Sequence, residues 1–186
     1  MADAGPITFW NRKGVPGFPY IESLPEDDAE TFLKGVPVFL DSDGNIQEVP
    51  DGFGGSELVY GVSVEAAHNL TTAGTAELGN EHGSPPNQPN AKSTAIGSPT
   101  KDGSIKIYRD LANTYFRCAL DPDETYTSSL VEPATRYELD KTSNGYWSVD
   151  SSDTGTAAKH AVHIRGVDPN NSAFVIIQFA AAATAA

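Results

Sequence analysis

Residues able to do covalent chemistry are few in this chain, and they stand apart from one another. The single cysteine, Cys118, lies between Arg117 and Ala119 in an apolar stretch, which predicts a buried and inert thiol. One cysteine also excludes an internal disulfide and a cysteine-based zinc site. The sequence contains no Gly-x-Ser-x-Gly, Gly-x-Gly-x-x-Gly or P-loop pattern. We therefore predict a protein that is not an enzyme and that uses no cofactor.

Two short patterns resemble metal-binding sequences. The segment DSDGN at 41–45 resembles the start of a calcium loop, but the position of the required bidentate glutamate is occupied by Gly52. An acidic hairpin turn is the better interpretation of this segment. His160 and His163 are three residues apart in a strand-like sequence, which would place them on opposite faces of a sheet. The sequence therefore predicts no metal site.

The charge balance of the chain is strongly acidic. Twenty-five acidic residues against 12 basic ones give a formal net charge of −13. This excess repels nucleic-acid phosphates and anionic membrane surfaces, so we expect neither nucleic acid nor a membrane as a partner. Among so many carboxylates some must lie close together, which keeps a carboxylate-dependent hydrolase open as an alternative.

Residues 1–22 predict an extended N-terminal arm. Its aromatic side chains Phe9, Trp10, Phe18 and Tyr20 are separated by glycine and proline, and neither a helical nor a strand period is present. Aromatic anchors of this kind gain affinity by becoming ordered on a partner. We take these four residues and Arg12 as candidate contacts to a partner or a second subunit. A disordered tail is the alternative.

One short helix is predicted at 23–34. Ser23 and Glu26 have the spacing of a capping box, and acidic residues fill the first turn. Gly35 and Pro37 would end the helix.

The rest of the chain has the alternation of β-strands. About nine short stretches carry it, at 36–40, 46–49, 58–64, 104–108, 114–120, 135–139, 146–149, 161–166 and 173–179. Turn signals at 41–45 and 143–145 predict two hairpins. The predicted fold is all-β, a single small sandwich or barrel at 23–179. A long loop excursion at 65–103 and an alanine-rich tail at 180–186 complete the prediction.

The same alternation predicts which side chains form the core. They are Val36, Val38, Leu40, Tyr60, Val62, Val64, Ile105, Ile107, Phe116, Cys118, Leu120, Tyr137, Leu139, Val162, Ile164, Phe174, Ile176 and either Val175 or Ile177.

Several segments, taken in order, resemble a known family. They are FLKGVPVFLDSDG at 32–44, YGVSVEAAHN at 60–69, TRYEL at 135–139, GYWSVD at 145–150, VDP at 167–169 and AFVIIQF at 173–179. This order resembles the head decoration, or capsid cement, proteins of tailed bacteriophages over roughly residues 30–179. The resemblance implies a virion protein on the outer surface of the capsid. Its partner would be the major capsid protein, and it would commonly act as a homotrimer that braces capsomers.

A carbohydrate-binding or adhesin-like module is the alternative function. Tyr146 and Trp147, with the loop at 83–93, would form an aromatic platform for a sugar. Because neighbouring residues on a strand face opposite ways, one of the two aromatics is expected in the core.

Overall fold

The computed structural model describes residues 5–13, 19–27, 30–52, 58–67, 104–157 and 159–181. Within these ranges the chain forms eleven strands and two short 3-10 turns, which confirms the predicted all-β fold. The strands are β1 (Thr8–Arg12), β2 (Ile21–Pro25), β3 (Pro37–Leu40), β4 (Ile46–Glu48), β5 (Gly61–Ser63), β6 (Ser104–Tyr108), β7 (Thr114–Leu120), β8 (Tyr137–Lys141), β9 (Trp147–Thr154), β10 (Val162–Val167) and β11 (Phe174–Phe179). The 3-10 turns are Leu111–Asn113 and Ser128–Leu130.

The strands form two sheets. The larger has the order β1-β7-β11-β10-β8-β9, and β7 also pairs in parallel with β9 at Ala119↔Ser148. This extra pairing closes β7, β11, β10, β8 and β9 into a small barrel, with β1 attached beside β7. The smaller sheet has the order β2-β6-β5-β3-β4. It also curls back on itself, because Glu26, directly after β2, bridges Ile46 on β4.

Tight turns account for the two predicted hairpins. In the β3–β4 turn, one carboxylate oxygen of Asp41 accepts hydrogen bonds from the backbone N–H groups of Asp43 at 2.8 Å and Asn45 at 2.7 Å. Gly44 completes this turn with φ of 82°, and Gly145 has the same φ in the β8–β9 turn. Such positive values are costly for residues with a side chain. The DSDGN segment is thus the predicted hairpin turn.

One continuous core lies between the elements and confirms most of the predicted set. Phe116 and Phe179 meet edge to face in it, with ring centroids 5.7 Å apart. Leu40 is wrong as a core residue, since 36% of it is exposed at the end of β3. Three other residues predicted for the core are half-buried: Tyr60, Val64 and Phe174. Buried residues that alternation did not select include Ile7, Phe32, Ile46, Val59, Trp147 and Phe179.

The helix predicted at 23–34 is wrong. Residues 21–25 instead form β2, in which Glu22, Ser23 and Leu24 pair with strand β6. None of the described residues from 30 to 34 is helical either. The capping signal is local and contributes little free energy, whereas pairing with β6 provides hydrogen-bond partners for the backbone of this segment.

The described part of the predicted N-terminal arm belongs to the domain. Strand β1 pairs with β7, and Ile7 is 1% exposed, with its N–H donating to the carbonyl of Gly35 at 2.9 Å. The proposed boundary after residue 22 falls inside β2. Residues 68–103, most of the predicted excursion, and residues 182–186 of the predicted tail lie outside the described residues.

Candidate functional site

The predicted contact residues of the N-terminal segment divide into exposed and packed side chains. Trp10 is 40% exposed and Tyr20 is 57% exposed. Phe9 packs instead against Tyr108, with ring centroids 6.1 Å apart. Arg12 forms an ion pair of 2.6 Å with Asp110. Phe18 lies outside the described residues.

Exposed apolar groups continue from Tyr20 into β2, where Ile21 is 45% exposed. We call Trp10, Tyr20 and Ile21 the N-terminal surface. Isolated exposed hydrophobic residues are ordinary, but two large aromatics and an isoleucine between residues 10 and 21 are a larger apolar exposure for one segment.

The backbone that carries this surface is fixed to the segment 109–113. The N–H of Lys13 donates to the carbonyl of Asn113 at 2.8 Å, and the N–H of Arg109 donates to the carbonyl of Tyr20 at 2.9 Å. Asp110 adopts a left-handed conformation, with φ of 59°, and accepts a hydrogen bond of 2.7 Å from the Asn113 side chain. The backbone at Lys13 and at Tyr20 is therefore held by the segment 109–113.

A cation borders the same surface. The guanidinium of Arg109 stacks over the ring of Tyr60, 3.5 Å from its centroid, and pairs with Glu22 at 3.0 Å. Arg109 also donates to the carbonyl of Tyr60 at 2.6 Å. An arginine held by stacking and by a carboxylate keeps its charge close to the apolar groups.

A second feature is a compact group of charged side chains, which we call the β8–β9 cluster: Glu138, Asp153, Lys159 and His160. The ammonium of Lys159 lies 2.8 Å from Glu138 and 2.5 Å from Asp153. Nε2 of His160 lies 3.0 Å from the other carboxylate oxygen of Asp153. Burial, chiefly, raises the pKa of Glu138, whereas hydrogen bonds from Lys159 lower the pKa of Asp153.

The two histidines considered in the sequence are separated. His160 is buried in the β8–β9 cluster, whereas Nδ1 of His163 contacts the carbonyl of Thr135 at 2.8 Å. Burial lowers the pKa of His163. The two rings therefore have different partners. The grouping of His160 with two carboxylates was missed, because it depends on how β8 pairs with β9.

A third feature is an open pocket of about 260 Å³ beside the end of β7. Its polar lining includes Asp121, Glu124, Thr125, Tyr126 and Ser172. Burial raises the pKa of Glu124, and the neighbouring charge of Asp150 adds to this effect. Carboxylate and hydroxyl groups around an aromatic ring provide several hydrogen-bonding positions for a small polar ligand.

Two residues considered for chemistry or recognition are in the interior. Cys118 is fully buried, and burial raises the pKa of its thiol to about 12. The thiol is therefore inert, as the sequence predicted. Trp147 is also fully buried and its indole N–H donates to Glu48 at 3.0 Å, so the proposed Tyr146–Trp147 sugar platform is wrong.

Comparisons with known proteins give no relative from which a function could be transferred. The chain matches no protein-family model, and comparisons with curated proteins and solved structures find no significant similarity. Among the described helical turns, none is long and apolar enough to cross a bilayer.

Proposed function

We propose that this protein is a virion structural protein, a capsid decoration protein of a tailed bacteriophage. It binds the outer surface of the assembled head, contacts the major capsid protein and acts as a homotrimer between capsomers. The order of the segments between residues 32 and 179 supports the family. The observation that carries the binding role is the N-terminal surface, with Trp10 and Tyr20 40% and 57% exposed on a fixed backbone.

This surface has the composition of a protein-binding site. Tryptophan, tyrosine and arginine are the residues that most often dominate interface energies, and Arg109 stands next to the exposed Tyr20. Because the residues on either side of Trp10 pair with β7 and the carbonyl of Tyr20 accepts a hydrogen bond from Arg109, little backbone entropy is lost when these side chains are covered. A surface prepared in this way suits tight attachment to a shell.

Sedimentation of the native particles tests the proposal. Lysate from the source is separated on a density gradient, and the fractions are probed for this chain and for the major shell protein. We expect the chain to migrate with DNA-filled particles at a copy number comparable to that of the shell protein. Recovery in the soluble fraction alone would overturn the decoration role.

Point substitutions test the surface more cleanly than truncation, because removing residues 2–22 would also remove β1 from its sheet. The double variant Trp10→Ala, Tyr20→Ala should bind to particles from which this chain has been removed at least about tenfold more weakly than the wild type does. Val131→Ala, at another residue that is 36% exposed, is the matched control and should bind normally. Normal binding by the double variant would exclude the N-terminal surface as the capsid-binding site.

The pocket beside β7 favours a second function, binding of a carbohydrate. Tyr126 offers an aromatic ring, and Asp121 and Glu124 offer acceptors for sugar hydroxyls. A glycan array with the wild type and with Tyr126→Ala would test this function. Sugar binding that is lost in Tyr126→Ala would support it, and an array without signal would exclude it.

A further inference from the structure

The β8–β9 cluster brings together three side chains of the kinds that bind transition metals. One atom each of Glu138, Asp153 and His160 lies within 4.8 Å of the other two. Glu138 comes from β8 and Asp153 from β9, and His160 lies just before β10. The three residues thus come from three different segments of the chain, and no sequence pattern marks them as a group.

The carboxylates already accept a positive group. The Lys159 ammonium is 2.8 Å from Glu138 and 2.5 Å from Asp153, so both carboxylates direct an oxygen toward one point. Lys159 is on the surface, with 34% of its side chain exposed. Its flexible stem allows the ammonium to leave toward solvent when another cation takes its place.

The imidazole of His160 is held in a fixed orientation. The residue is 6% exposed, and Nε2 lies 3.0 Å from Asp153. On the other side, the ring packs against Gly155 so closely that a Cβ at Gly155 would lie 2.6 Å from the ring carbon Cε1. A ring that is already oriented pays little to become a metal ligand, since no reorganisation is needed.

We propose that Glu138, Asp153 and His160 form a binding site for a divalent transition metal such as Zn²⁺, with Lys159 as the internal cation that competes for it. The donor set of one imidazole nitrogen and two carboxylate oxygens suits Zn²⁺, whereas Ca²⁺ prefers oxygen ligands alone. Three protein ligands leave a fourth position for water or a partner's side chain. The site is separate from the N-terminal surface, so this inference does not depend on the proposed function.

Calorimetric titration of the full chain with Zn²⁺ tests the site, and the visible spectrum of added Co²⁺ reports the ligand field. Lys159→Met removes the competing ammonium and keeps the length of the stem, so it should bind Zn²⁺ about tenfold or more tightly than the wild type. The double variant Lys159→Met, Asp153→Asn should lose that gain, because a ligand is missing. Asp153 is 38% exposed, which makes its substitution tolerable for folding.

His163→Gln, on the next strand, and Asp123→Asn, on an exposed turn, serve as controls for metal bound elsewhere. Each should leave Zn²⁺ affinity within about twofold of the wild type. The proposal is overturned if Lys159→Met binds Zn²⁺ no more tightly than the wild type. It is equally overturned if the double variant binds as tightly as Lys159→Met.

Discussion

The guanidinium of Arg117 lies 2.5 Å from the carboxylate of Asp168 and 3.4 Å above the ring centroid of Phe174. Arg117 is on β7, and Asp168 directly follows β10, so the ion pair connects two strands on opposite sides of β11. Asp168 is 5% exposed, and it also accepts a hydrogen bond of 2.9 Å from the backbone N–H of Asn170. The Asn170 hydrogen bond and the Arg117 contact together lower the pKa of Asp168.

This ion pair predicts a stability difference that depends on pH. The pKa of Asp168 is lower in the folded chain than its unfolded value of about 3.9, so its stabilisation is fully present above about pH 4. The stabilisation is lost as the pH falls through the folded-state pKa. Arg117→Met should therefore be less stable than the wild type at neutral pH, and the difference should shrink at about pH 2.5. Urea unfolding at both values measures it; an equal difference at both would contradict the prediction.

Two buried serines should differ in how much stability is lost when their hydroxyl is removed. The Ser63 oxygen accepts hydrogen bonds from the N–H groups of Gly35 at 2.9 Å and Val36 at 3.1 Å, and it donates to the carbonyl of Leu33 at 3.1 Å. Ser63→Ala should lower the free energy of unfolding by about 1–3 kcal/mol, because the N–H of Val36 and the carbonyl of Leu33 lose this partner. The N–H of Gly35 keeps the backbone carbonyl of Ser63 at 3.0 Å.

The hydroxyl of Ser148 is the matched case. Ser148 is also fully buried, but its oxygen has no hydrogen-bond partner among the described residues. Ser148→Ala should therefore change the free energy of unfolding by less than about 0.5 kcal/mol or increase it. Equal losses of stability in the two variants, measured by denaturant unfolding, would show that this difference in hydrogen bonding is without effect.

Two glycines with positive φ should differ in their tolerance of alanine. Gly44 has φ of 82° with nothing within 4 Å of a Cβ, so Gly44→Ala should cost only the backbone strain of about 1–2 kcal/mol. Gly35 has φ of 76°, and a Cβ there would lie 2.6 Å from Cβ of Pro6 and 2.7 Å from the carbonyl oxygen of Ile7. Gly35→Ala should cost about 1–3 kcal/mol more than Gly44→Ala. Thermal unfolding of the two variants side by side measures the gap, and identical melting temperatures would refute it.

The thiol of Cys118 should react only after the chain unfolds. It is fully buried, burial raises its pKa to about 12, and its sulfur contacts the carbonyl of Trp147 at 3.5 Å. The reactive thiolate is therefore scarce in the folded protein at pH 8. A chromogenic disulfide reagent should label no thiol in buffer and one per chain in concentrated guanidinium. Rapid labelling in buffer would mean that β7 opens readily.

Local sequence signals were sufficient wherever a strand pairs with its neighbour along the chain. The β3–β4 and β8–β9 hairpins were predicted from their turns, since Gly44 and Gly145 occupy conformations that few other residues adopt. Alternation also identified most of the core. Both signals act over a few residues, and the structure keeps them because no distant pairing competes with them.

The errors fall where distant pairing decides the outcome. The segment around Ser23 has a helix-capping pattern, but β6 supplies a partner for its backbone from far along the chain. The β8–β9 cluster was missed for a related reason. Glu138 and Asp153 approach each other because the register of the β8–β9 pairing shifts between Tyr137 and Glu138. No pattern in the sequence predicts that irregularity. Trp147 could have been placed inside, since alternation required that one of the two neighbouring aromatics be buried.

The position of β11 between β7 and β10 has a consequence for how the chain folds during synthesis. Strand β1 is made before its partner β7, and the edge of β7 that faces β11 gains its partner only when residues 174–179 have been made. Until then one edge of β7 is unpaired, and the barrel formed by the larger sheet is open. Of the described strands, the last in the chain is thus needed to complete the barrel, so folding of this sheet depends on pairing between distant segments and should be slow.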